Sequence, residues 1–278
     1  MNIGYNPVNG LALKFHTQKK KQMNNIVPFK SNFKKAKMLD ALNNKLMYFS
    51  TALLIIGSVL KSIPAVNLAI SSWIEIPNAV LIVAIFVLGL IVDYIYRNAE
   101  TLRRIDLVDN SFGTRLSEKK SKDYYTNDDN DFGFKKIGIN NFESAFFTYS
   151  ILKESINKER FKSGIISFLF FIFAICGYEK ILILILQLTI PFALISRLYK
   201  TEVLYCCSKS VCDNYRSIFD KAKELSETKF HAEIVKNLLV YESNLAWSCI
   251  LLDDATYHSM NETLSAEWNN IKVDYDLT

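Results

Sequence analysis

The sequence predicts an all-α integral membrane protein with four transmembrane helices and a cytoplasmic helical domain. Three observations carry this: four uncharged apolar stretches, a lopsided distribution of basic residues between them, and helical spacing of apolar residues through most of the remainder.

Residues 46–60, 76–92, 163–178 and 181–196 contain no Asp, Glu, Lys or Arg. Charge brackets each one, with Lys45 and Lys61, Glu75 and Asp93, Lys162 and Glu179, and Lys180 and Arg197 at their ends. These runs are shorter than the roughly 20 residues that a hydrocarbon core asks for, so buried helices of a large soluble core are the rival reading. Composition decides between them. In the second stretch 12 of 17 residues are Leu, Ile, Val or Phe, which supplies about −4 to −7 kcal/mol of insertion free energy at most. Flanking lysines extend the span by lifting their ammonium groups to the headgroups, and local thinning absorbs the rest.

Of the 33 Lys and Arg residues, nine precede the first stretch, 13 lie between the second and third, and nine follow from Arg197 onward. Only Lys61 and Lys180 fall in the other two connections. Basic residues near spans are retained in the cytoplasm, so both termini and the central region are expected inside. The first apolar run begins after about 45 polar residues, so no cleavable signal peptide is expected and the first span acts as its own insertion signal. A mitochondrial presequence is the rival, disfavoured because residues 1–45 hold nine lysines and no arginine.

The organisation expected along the chain is a basic arm and short helix over 1–45, spans one and two over 46–96, a cytoplasmic loop and helices over 97–162, a transmembrane hairpin over 163–197, and a helical C-terminal region over 198–278. Residues 1–25 read as a disordered arm. Ser31 is a good N-cap for the short helix that follows. Residues 61–77, with Pro64, Pro77 and the interfacial Trp73, read as an external loop, and residues 177–180 as a tight turn. The second span continues into the cytoplasm through Tyr94, Arg97, Leu102, Ile105 and Phe112 until Gly113 ends it. Residues 117–138 read as a solvated loop, 140–160 as a helix leading into span three, and 202–227 and 229–252 as two further helices. Ser259 with Glu262 forms a capping box for a last helix carrying Leu264, Trp268, Ile271 and Tyr275.

No enzyme signature is present: no P-loop, GxGxxG, HExxH or GxSxG, and the histidines His16, His231 and His258 are scattered. Cys176, Cys206, Cys207, Cys212 and Cys249 show no metal-like pairing, so neither metal nor cofactor is expected. The spans hold no Asp, Glu, Lys, Arg or His, which argues against proton-coupled transport and voltage sensing but allows a passive pore. Thr51, Ser58 and Lys61 share a face of span one, and Gln187 is the lone amide of span four, so these four are the candidate pore-lining residues. The simpler reading is that Thr51 and Ser58 bond back to their own helix and Gln187 joins two helices. In the central region Arg103, Arg104, Arg115, Lys119, Lys120, Lys122, Lys135 and Lys136 are candidate nucleotide-phosphate ligands, with Tyr124, Tyr125 and Phe132 placed to stack on bases. Against this, the same cations satisfy the topology rule, and nearby acids nearly cancel them.

Residues 103–116 (RRIDLVDNSFGTRL), 123–127 (DYYTN) and 141–147 (NFESAFF), together with the four-span plan, resemble bacterial membrane effectors of nucleotide-signalling anti-phage systems. These are four-helix pore-forming effectors found beside nucleotidyltransferase sensors, as in CBASS and Hailong defence. The resemblance implies a channel in the lipid bilayer built as a homo-oligomer such as a tetramer. A cyclic nucleotide or oligonucleotide from a partner nucleotidyltransferase would open it or hold it closed, and opening would depolarise the membrane and arrest growth. A non-conducting scaffold whose cytoplasmic helices dock partners is the alternative, and a membrane enzyme or small transporter the next.

Overall fold

The computed structural model describes residues 27–61, 68–119, 121, 124, 125, 127, 130–176 and 181–277, and the arm expected over 1–25 lies outside them. Among the described residues the protein is all-α, with six helices: α1 (Lys30–Lys61), α2 (Leu68–Phe112), α3 (Phe134–Cys176), α4 (Ile181–Asp220), α5 (Glu227–Ser248) and α6 (Asp254–Asp274).

The first four are long, at 32, 45, 43 and 40 residues. Each joins a polar half to one of the uncharged stretches without a break. In α1 and α3 that stretch forms the C-terminal half, and in α2 and α4 it forms the N-terminal half. α1 packs on α2 and α3 packs on α4. The apolar halves gather at one end, where Met47 of α1, Ile82 and Ile85 of α2, and Ile190 and Leu194 of α4 are buried together with Ile166 of α3 against them. Outside this cluster Ile76, Val80, Val83, Phe86 and Leu90 of α2 and Phe192 of α4 are exposed. Among the described residues one helix, over Ile76–Phe112, is long and apolar enough to cross a membrane. That is one of the four spans expected.

Several boundaries differ from expectation. Ser31 is not the cap: α1 begins at Lys30 and runs into the first stretch without a breaker up to Lys61. The external loop is shorter than expected, since α2 begins at Leu68 and runs through Pro77. Proline there removes one i→i−4 bond, but its fixed φ is helical and the helix runs on through it. α3 begins at Phe134, inside the expected loop. α4 continues to Asp220, so the expected helix over 202–227 is the end of a longer one. The last helix starts at Asp254, not Ser259: Asp253 is the cap and accepts from the Thr256 N–H at 2.9 Å, while the Ser259 hydroxyl bonds back to Thr256 O. Gly113 does end α2, with φ at +69°.

The polar halves of α2, α3 and α4 join α5 and α6 around a second, larger core. Phe142 of α3 is its centre, stacked on Tyr215 at 5.5 Å and meeting Trp268 edge-on at 5.1 Å. Burying side chains of this size contributes about 1.5–3 kcal/mol each. It is also why the Leu264 and Trp268 periodicity was visible in α6: both are buried.

Candidate functional site

Between α2 and α3, the described residues from Gly113 to Gly133 form a strap against the polar half of α2. Two aspartates one turn apart on α2 hold it. Asp109 accepts from the Thr114 hydroxyl, the Leu116 N–H, and both the N–H and hydroxyl of Ser117, all at 2.5–2.7 Å. Asp106 accepts from the Ser121 N–H at 2.7 Å and its hydroxyl at 2.5 Å. Burial alone would raise the Asp109 carboxyl, but these donors outweigh it and hold the group well below the usual carboxylate range. Further along, the Asn127 amide donates to Asn140 and Glu143, the Asn130 amide donates to Leu277 O, and the Gly133 N–H donates to Ser111 O.

A cleft of about 320 Å³ opens beside this strap, lined by Asp106, Asp109, Asn110, Gly113, Ser121, Phe132 and Lys136. Lys136 is only 3% exposed, and its Nζ lies 4.8 Å from the centre of the Phe132 ring. Its ammonium forms no ion pair among the described residues. Both carboxylates of the cleft are already engaged by strap donors, so a ligand here cannot add much negative charge beside Asp106 and Asp109. A nucleobase edge suits that better than a phosphate group.

The expected phosphate ligands separate into three groups. Arg103 and Arg104 are used internally. Arg103 Nε donates to Glu100 at 2.9 Å, its Nη2 to Glu242 at 2.5 Å, and Arg104 Nε to the same Glu242 oxygen at 3.0 Å. Burial opposes the charge of Arg103, but Glu100 and Glu242 outweigh it and raise its pKa. Arg115, Lys119 and Lys135 are exposed, Lys135 donating to Asp276 O at 3.3 Å. Lys136 alone enters the cleft, and Lys120 and Lys122 lie outside the described residues. Of the aromatic set, Phe132 is 67% exposed, whereas Tyr125 is buried and Tyr124 packs edge-on against both Tyr125 and Phe29.

Among the pore-lining candidates, Thr51 donates its hydroxyl to Met47 O at 2.8 Å, the back-bonded state of a helical threonine. Ser58, Lys61 and Gln187 sit on helical backbone, their side chains outside the described residues. Sequence reading missed Asp106, Asp109 and Glu242. The signal for the first two was an acidic pair at helical spacing followed by Thr114, Ser117 and Ser121, hydroxyls suited to meet them.

Among the described residues no group of three His, Cys, Asp or Glu could hold a metal ion. Fold and site therefore define an all-α chain in which a strap and cleft sit on the polar extension of a membrane-length helix. No protein-family model, curated protein or solved structure matches it.

Proposed function

We propose that this chain is a four-span inner-membrane protein that conducts ions as a homo-oligomer, under control of a nucleotide or oligonucleotide bound on its cytoplasmic side. The observation that carries the reading is α2. Its apolar, outward-facing half and its buried Glu100, Arg103, Asp106 and Asp109 belong to one helix, so whatever occupies the cleft acts on a segment at membrane depth through continuous backbone.

The four-span plan is supported by the gathering of all four uncharged stretches at one end around Met47, Ile82, Ile85, Ile190 and Leu194. The same packing favours an oligomer. Among the described residues the helices meet through Met47, Ile82, Ile85, Ile190 and Leu194, which favours an aqueous path between copies over one within a single chain. A signal governs such a pore only by preferring one conformation. The cleft takes the base, and Arg115, Lys119 and Lys135 are exposed cations of the same region that can receive phosphates. The resemblance to effectors of nucleotide-signalling anti-phage defence agrees with this, and depolarisation with growth arrest is the cellular outcome it implies.

One observation favours the non-conducting scaffold: the Thr51 hydroxyl is committed to its own helix instead of to water. Reconstitution into liposomes with a current or dye readout decides between them. Conductance that responds to cyclic nucleotides or oligonucleotides is expected; a protein silent under every such ligand is a scaffold.

A further inference from the structure

Each of the four long helices exposes an aromatic side chain within three residues of the charge that ends its uncharged stretch. These are Tyr48 on α1, Tyr94 on α2, Phe161 on α3 and Tyr199 on α4, between 45% and 74% exposed. In a membrane protein this level is where amphipathic rings collect, between acyl chains and headgroups.

α5 contains no uncharged stretch, yet its C-terminal end reaches the same level. Trp247 is 45% exposed and meets Tyr199 edge-on at 6.0 Å, with the Lys200 Nζ 6.0 Å from its ring centre. A second contact fixes that end independently: Asp254, just past the α5–α6 turn, pairs with Lys37 of α1. Tyr199 continues the outward face of α4 made by Phe192 and Ile195 at spacings of three and four, so the Trp247 patch is continuous with the apolar surface of the bundle. Lys200 forms no ion pair among the described residues. Around the neighbouring Cys249, Arg97 and Lys200 stand with Asp93 and Glu100, and Glu100 is already paired with Arg103.

We propose that Trp247, Tyr199 and Lys200 form a site for an anionic phospholipid, Lys200 meeting its phosphate and Trp247 its glycerol region, which seats the end of α5 on the membrane. This rests on the four-span reading. It adds a lipid contact on the helix that also carries Glu242, five residues away, so the membrane surface and the Arg103 pair are linked through one rigid element.

The test uses the full chain in vesicles of phosphatidylcholine and phosphatidylglycerol brominated high on the acyl chains, comparing Trp73→Phe with Trp247→Phe. The buried Trp268 is common to both. Quenching of Trp73→Phe beyond that shared background, lost when Lys200→Glu is added or phosphatidylglycerol is omitted, is the expected result. Quenching of Trp73 but not of Trp247 overturns the site and leaves the spans standing. Quenching of neither overturns the four-span reading itself. Quenching of Trp247 that ignores both Lys200→Glu and lipid charge overturns the assignment to an anionic headgroup.

Discussion

Arg103 and Glu242, 139 positions apart, meet at 2.5 Å between Nη2 and Oε2, and this contact ties α2 to α5. Both are largely out of water, with side-chain exposures of 7% and 12%. Removing one partner therefore leaves the other charge buried. Glu242→Ala is expected to destabilise the protein by about 3–5 kcal/mol, while Glu242→Gln, which keeps an acceptor in place, costs less. Thermal unfolding in detergent ranks the two; equal stability of wild type and Glu242→Ala would show that the pair contributes nothing.

Asp109 gives the strap a pH dependence. Its folded pKa lies below the unfolded value, so its contribution is fully present above about pH 4 and is lost as pH falls through that value toward the folded pKa. Asp109→Asn should remove about 1–3 kcal/mol at neutral pH and flatten the acid limb of the stability curve. Unfolding midpoints between neutral and acid pH measure both effects, and an unchanged acid limb would assign the transition to other carboxyls.

Gly138 brings α3 close to α5. A Cβ built on it would meet three atoms of Ile234 at 3.1–3.3 Å, and Ile234 is fully buried. Alanine ordinarily gains up to about 1 kcal/mol over glycine within a helix, but overpacking here costs about 1–3 kcal/mol. Gly138→Ala is expected to be destabilising, and Ile234→Val in the same chain to restore part of the loss. Chemical unfolding of the single and double variants tests this; a stabilised single variant would mean that Ile234 yields freely.

Ser50 and Asn78 hydrogen-bond at 2.8 Å between α1 and α2 within the apolar half, both buried. A double-mutant cycle with Ser50→Ala and Asn78→Ala should give a coupling of about 0.6 kcal/mol, and at most about 2. A coupling of zero would place the pair's worth in packing alone.

The helices were readable because their apolar residues repeat at three and four and few breakers interrupt them. Their ends were less so. Both Asp253 and Ser259 are good caps by type, and only the reach of the Asp253 carboxylate to the Thr256 N–H decides between them. Pro77 reads as part of a loop, yet its φ is compatible with a helix and α2 runs through it. The site was harder. Arg104 looks like a free cation within residues 97–116 and Arg103 has only Glu100 there, since the acid that claims both lies on α5. In the sequence Lys136 is one cation among eight candidates, and only the fold buries it beside the strap.

Pro77 also marks where α2 becomes an uninterrupted rod. From there to Phe112 its axis spans about 52 Å at 1.5 Å per residue. A tilt of about 5° would swing one end by between 4 and 5 Å relative to the other, close to the rise of one helical turn. The strap on Asp106 and Asp109 grips this rod near one end, and Ile82 and Ile85 seat it in the bundle core near the other, so its tilt is constrained from both ends.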